Sequence, residues 1–283
     1  MKKFYSMMVL CLAFAMTVSA QVKTPQPSPF SKVEQKVGLT DVTLEYSRPG
    51  VKGRTIFGDL VQLDKMWRTG ANKNSIVTFS TDVTVAGQEL KAGSYAIFAK
   101  PGKQTWEINF YSDTENWGTP ETWDATKVGA TVSARTMELK DKVESFTISV
   151  DNLSDNAADL SIAWANTKVV VPMTVPTDKM VMASIDKTMA GPSSNDYYSA
   201  GRYYRDSGKD LNKSLEMINK SIEMRGEEKF WMVRQKALTL AKMGKYKDAI
   251  KAAERSIELA KVAGNDDYVR NNTKSIAEWT KMK

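Results

Sequence analysis

An antiparallel β domain followed by an all-α domain is the fold class this sequence predicts, and three observations carry it. Between residues 33 and 176 apolar residues recur at every second position in short, β-branched runs, the period of a strand with one buried face. From Thr177 onward the period becomes helical, and a segment repeats itself 35 residues later, as helix–turn–helix units do. Strands and helices do not alternate, which excludes a parallel sheet. The β pattern reads as a sandwich or jelly-roll-like barrel of about nine strands.

The strands follow in order. Val42, Leu44 and Tyr46 alternate with Thr43 and Glu45; Val77 and Phe79 continue the pattern; Val83 and Val85 lead into a turn at Gly87. Tyr95, Ile97 and Ala99 run into Pro101-Gly102, and Trp106, Ile108 and Phe110 return as a hairpin. Runs at 130–138, 143–151, 158–165 and 168–175 complete the set, the last two joined across Asn166-Thr167. Thr177 is expected to cap a helix ending near Gly191-Pro192, with Met182, Ile185 and Met189 on one face. Ser214-Leu215, Ile218 and Ser221-Ile222-Glu223-Met224 then recur as Ala249-Ile250, Ala253 and Ser256-Ile257-Glu258-Leu259. With Ala237 and Gly244-Lys245-Tyr246, the second copy resembles a tetratricopeptide repeat. It departs from that family at Val233 and Lys261, and the first copy is weaker, with Gly208 and Leu211 in place of the glycine–tyrosine turn. Asp266 to Trp279 is expected as a final solvating helix over the open end of the stack.

The first 20 residues read as a secretory leader. Lys2 and Lys3 precede an apolar core from Met7 to Val18, and Val18-Ser19-Ala20 offers a small-residue cleavage site. The mature chain is expected from about Gln21, periplasmic or secreted. No later stretch reaches the roughly 18 apolar residues of a membrane span. The expected organisation is a leader at 1–20, a flexible segment at 21–32, a β domain at 33–176, a connecting helix at 177–192 and a helical domain at 193–283.

Composition narrows the chemistry. The chain has no His, and its single Cys, Cys11, falls in the leader. Histidine or thiolate metal sites, a Cys nucleophile, a disulfide and a Ser-His-Asp triad are therefore excluded from the mature protein. Gly50, Gly53 and Gly58 match no phosphate-loop or dinucleotide fingerprint, so no cofactor and no metal is expected. Residues 21–176 carry 17 Lys+Arg and 18 Asp+Glu, whereas residues 177–283 carry 21 and 15. The basic residues of the second half alternate with acids along helices, which describes a solvated face better than a nucleic-acid footprint.

Two polar clusters remain. Tyr46, Arg48, Arg54, Trp67, Arg68 and Asn72 lie close in sequence among glycines. Three guanidiniums and an amide can bind a carboxylate, phosphate or sulfate bidentately. The alternative is that they tie irregular loops together through carbonyls and acids such as Asp59 and Asp64, and Arg68 is the one expected in that structural role. The motifs Tyr46-Ser47-Arg48-Pro49, Lys52-Gly53-Arg54, Ile56-Phe57-Gly58, Trp67-Arg68-Thr69-Gly70-Ala71-Asn72 and Ala92-Gly93-Ser94-Tyr95 occur in this order. Through them, residues 28–175 resemble domain of unknown function 2911, a family of exported Bacteroidota proteins. The resemblance implies an exported β domain, often with a helical tail, and a shared role for the Arg/Trp/Asn motif; it implies no substrate.

The second cluster is Trp106, Asp113, Glu115, Trp117, Glu121, Trp123 and Asp124. Three tryptophans with four carboxylates suggest a sugar-stacking platform, or the acid/base pair of a glycosidase, set against tryptophans that merely cover a sheet edge. Tyr197, Tyr198, Tyr203 and Tyr204 can line a peptide groove or pack against the β domain. The leading reading is a non-enzymatic binding or scaffold protein of the cell envelope. Its helical repeats would contact a protein partner, and its β domain a small anion or glycan. The alternative is a carboxylate-dependent hydrolase of envelope glycans.

Overall fold

A computed structural model of the chain describes residues 24–189 and 191–282. The expected leader lies outside these residues. The chain divides into two compact units between Thr177 and Asp178.

The first unit is one large antiparallel sheet. Its strands are β1 (Phe30–Val37), β2 (Thr40–Ser47), β3 (Ile76–Phe79), β4 (Val83–Val85), β5 (Gln88–Leu90), β6 (Gly93–Pro101), β7 (Thr105–Tyr111), β8 (Val128–Asp151) and β9 (Ala157–Thr174). They lie in the order β1-β2-β3-β6-β7-β8-β9-β4-β5. The layers are continuous through β8, whose first part pairs with β7 and whose remainder pairs with β9. The sheet folds back so that Tyr46 of β2 donates from its hydroxyl to the Ile148 carbonyl of β8 at 2.8 Å. Period-two alternation sets what is inside. Val42, Leu44 and Tyr46 of β2, Ile97 and Ala99 of β6, Trp106, Ile108 and Phe110 of β7, and Leu160, Ile162 and Trp164 of β9 share one buried core.

Strand β6 is buried on both faces. Its outward Ala96 and Phe98 form a second cluster with Tyr111, covered by Met66, Trp123 and Val128. The runs expected as four strands at 130–175 are the two long strands β8 and β9. They pair with each other from Thr136↔Val169 to Asp151↔Asp159, so neither needs an internal turn. The residues that signalled turns are absorbed as breaks in register between Glu138 and Val143 and between Val143 and Thr147. Ala165 takes a left-handed φ of 51°, a local irregularity that lets the strand continue. The sheet also begins at Phe30 rather than Val33, because β1 pairs with β2 along its full length, Phe30↔Ser47 to Val37↔Thr40.

Among the described residues the second unit holds six helices: α1 (Thr177–Thr188), α2 (Ser194–Asp206), α3 (Leu211–Arg225), α4 (Phe230–Lys242), α5 (Tyr246–Val262) and α6 (Asp266–Thr280). From α2 onward each helix packs on the next, and α2 also touches α4 and α4 touches α6. Ser193 opens α2 with a capping box closed by Asp196, satisfying two N-terminal amides. Ile185 of α1 is buried with Ala200, Tyr204 and Met217, and Val181, Met182, Met189, Tyr197 and Tyr203 pack on the same cluster. Tyr197, Tyr203 and Tyr204 of α2 thus find their apolar partners on α1 inside this unit, whereas Tyr198 lies under the Arg202 guanidinium. Gly201 allows the closest approach of α2 to α3: a Cβ there would lie 2.8 Å from Ile218 Cγ1 and 3.1 Å from the Ser214 carbonyl oxygen.

Candidate functional site

The loop from Pro49 to Asn74 crosses the mouth of the folded sheet. It is pinned on one side by Val51 N–H to the Glu144 carbonyl and Phe146 N–H to the Pro49 carbonyl, and on the other by two bonds between Trp67 and Ala99. Between these anchors the backbone turns sharply. Lys52, Asp64, Thr69 and Asn72 have φ of 49°, 58°, 52° and 61°. For Thr69, β-branched and fully buried, that is a strained conformation of the kind held only where the surroundings over-determine it. Its carbonyl accepts the Ser75 hydroxyl. The next residue, Gly70, has φ 143°, and a Cβ there would fall 2.8 Å from Ser75 Oγ.

Beneath the loop lies an aromatic floor. Trp67 stacks on Trp164 with centroids 6.0 Å apart and planes at 14°. Phe57, Trp106 and Phe146 meet this pair edge-on at 5.5–6.4 Å, the geometry aromatic quadrupoles favour, and Phe57 lies tilted against Trp106 at 5.0 Å. Above the floor opens a cleft of about 350 Å³ whose walls include Pro49, Lys52, Arg54, Leu60, Trp67, Arg68 and Trp164. Among the described residues three cations line it and no carboxylate does.

The predicted residues divide into two groups. Arg54, Trp67 and Arg68 line the cleft; Tyr46, Arg48 and Asn72 hold the structure around it. Arg48 donates from Nε to the Phe146 carbonyl at 3.0 Å and from Nη2 to Thr147 Oγ1 at 2.8 Å. Asn72 donates from Nδ2 to the Ser28 carbonyl and to Ser47 Oγ. Arg54 does both: it bonds the carbonyls of Val51 and Gly50 while facing the cleft. The expectation that Arg68 ties the loop is corrected. Arg68 makes no hydrogen bond or ion pair among the described residues, and its Nε is buried without a partner. Trp164 is 2% exposed and its Nε1 is likewise unpartnered. Asp59 and Asp64, the expected acidic partners, bond none of these arginines.

The tryptophan–carboxylate cluster does not form one platform. Trp106 is in the inner core, Trp123 stacks on Tyr111 against the outer face of the sheet, and Trp117 is 73% exposed. The acids are engaged locally. Lys127 at 2.8 Å holds Asp113 below the usual carboxylate range. Lys73 at 3.0 Å does the same for Glu115, and the Thr126 hydroxyl and N–H for Asp124. Glu121 is exposed. A general acid needs a carboxyl pushed the other way, by burial or a like charge.

Residues 28–173 match the family described as protein of unknown function (DUF2911). The chain belongs to this family. No curated protein and no solved structure matches it. The DUF2911 region thus contains the whole loop, the folded-over strand β8 and nearly all of β9, and every cleft residue named above lies within it. Lys52, Leu60 and Trp164 were missed as site residues in the sequence. Lys52 carried a weak signal, sitting in the same motif as Arg54; Trp164 reads only as an inward strand position, and folding alone brings it under Trp67.

Proposed function

We propose that this is an exported binding protein whose β domain holds a small anionic ligand in the cleft beneath the 49–74 loop. Arg68 carries the reading: a guanidinium in the cleft wall with no partner of its own, beside Lys52 and Arg54. A planar guanidinium left unpaired in a partly buried wall matches a carboxylate, sulfate or phosphate group through its bidentate fork. Trp164 lies in the same lining, its Nε1 buried without a partner. The floor and the Leu60 and Pro49 side chains supply apolar contact for whatever carries the charge. Export rests on the leader at 1–20.

The helical unit is proposed as a tetratricopeptide-like array contacting a protein partner. Its repeats share one hydrogen bond: Ser221 Oγ donates to the Ser194 carbonyl and Ser256 Oγ to the Phe230 carbonyl, both at 2.7 Å. In each case the second helix of a pair is locked to the start of the first. The pairing of α2 with α4 and of α4 with α6 is that of stacked helical hairpins.

Thermal unfolding of the full chain with and without millimolar phosphate, sulfate or citrate tests the anion site. Stabilisation by mass action is expected for the wild type, and its loss in Arg68→Ala. A melting temperature indifferent to all three anions would overturn the reading.

A further inference from the structure

We infer that the anion held in the cleft of the β domain carries an apolar body without hydrogen-bond donors: an aryl phosphate, aryl sulfate or aromatic carboxylate, not a sugar phosphate or an amino acid. This rests on the anion site proposed above and adds the chemistry of the part of the ligand away from its charge. The cleft, at about 350 Å³, is within the range of small-molecule sites.

What the lining lacks is acceptors. Among the described residues it contains no carboxylate and no side-chain amide, and Ser28 has its only hydroxyl. Many of its backbone oxygens are taken. The Ser28 carbonyl accepts from Asn72 Nδ2, the Gly50 carbonyl from Arg54 Nη2 and the Gly70 carbonyl from Trp67 Nε1. The carbonyls of Pro49, Val61 and Trp67 accept the N–H groups of Phe146, Gly58 and Ala99. The Glu144 carboxylate lies outside the lining, and its Oε1 accepts the Lys52 N–H at 2.8 Å. A ligand that brought hydroxyls or amide N–H groups here would leave donors unpaired as they left water. An ammonium would also face Lys52, Arg54 and Arg68 with no acid in the lining to offset them.

What the lining offers is a fixed positive end and an open apolar wall. Arg68 is held from both sides: the N–H and carbonyl of Trp67 both bond Ala99, and the Thr69 carbonyl accepts the Ser75 hydroxyl. Its side chain therefore starts from a fixed backbone, which lowers the cost of ordering it around an anion. In the same lining Leu60 is 48% exposed, Pro27 is exposed and Trp67 is partly buried. Covering them with a ring removes apolar surface from water on both partners, which a bare phosphate cannot do.

Four probes with the same phosphate head separate the charge from what carries it: inorganic phosphate, glycerol 3-phosphate, phosphoethanolamine and phenyl phosphate. Full-length protein is titrated with each by calorimetry at about pH 8, where the phosphate monoesters are doubly ionised. Phenyl phosphate is expected to bind at least about tenfold more tightly than inorganic phosphate, a gain that covering part of a phenyl ring supplies. Glycerol 3-phosphate should gain nothing over inorganic phosphate, and phosphoethanolamine should bind most weakly. Arg68→Ala should weaken every phosphate that binds. Leu60→Ala, at an exposed position, should narrow the ratio between phenyl and inorganic phosphate. Should none of the four bind, the anion site itself falls and the apolar ligand with it. Phosphate binding with no preference for the phenyl ester, a tighter glycerol or ethanolamine ester, or an unchanged ratio in Leu60→Ala would leave the anion site standing and overturn the apolar ligand.

Discussion

Three arginines that look alike in the sequence have three different surroundings, and the differences predict how each substitution behaves. Arg48 bonds the Phe146 carbonyl and the Thr147 hydroxyl, joining the end of β2 to β8. Arg48→Ala leaves those acceptors unsatisfied at a cost of about 1–3 kcal/mol. The melting temperature should fall by several degrees, with anion response retained. Arg68 makes no bond among the described residues, its Nε buried without a partner, so Arg68→Ala should melt at or slightly above wild type while losing anion stabilisation. Arg68→Lys should recover part of the response, since it keeps the charge and loses the fork. A thermal-shift series over the three proteins, each with and without citrate, checks both outcomes. If Arg68→Ala melts several degrees low, Arg68 is structural after all.

At the scale of single elements, packing overrides local preference. Gly201 lies inside α2, where Ala ordinarily gains about 0.5–1 kcal/mol over Gly. Here the added methyl meets Ile218 at 2.8 Å and the Ser214 carbonyl at 3.1 Å, and overpacking of that kind costs about 1–3 kcal/mol. Gly201→Ala should therefore destabilise the helical unit, read as a lower unfolding midpoint by circular dichroism at 222 nm. The loop between β7 and β8 is instead governed by charge. Lys127 depresses Asp113, Lys73 depresses Glu115, and Thr126 depresses Asp124. A carboxyl with a lowered folded pKa stabilises above its unfolded value, about 4, and that contribution is lost as pH falls through the folded value. The loop should be held at neutral pH and loosen only in acid below about pH 4. Carboxyl titration by nuclear magnetic resonance should place Asp113 below its ordinary 3.8, and Lys127→Met should return it towards that value.

For the whole molecule, the division between Thr177 and Asp178 predicts two fragments that fold alone. Residues 24–177 should give a β-type circular dichroism spectrum and residues 178–283 a helical one. Ending the first fragment before Val175 should fail, because Val175 is buried and its N–H bonds the Asn156 carbonyl. The change from period two to period 3.6 near residue 176 was legible in the sequence because it records which residues face a core, and each element carries that record locally. So were the inward positions of β2, β6 and β7 and the grouping of Arg54, Trp67 and Arg68 in one motif. The strand lengths were not. Turn-forming residues at 140–142 and 166–167 lost to the ladder between β8 and β9, because a pairing of that length outweighs a few unfavourable positions. The role of each arginine was not legible either. Nothing in Arg48, Arg54 or Arg68 says which carbonyls will lie within reach; the return of β8 to the end of β2 satisfies the first and leaves the last unpaired. Sequence by itself determined which faces are buried and that strands give way to helices near residue 176, since those follow from local periodicity. Tertiary structure alone decided that Trp164 lies under Trp67, that Asn74 is buried without a partner and that the cleft holds cations without acids, because each depends on residues far apart in the chain meeting in space.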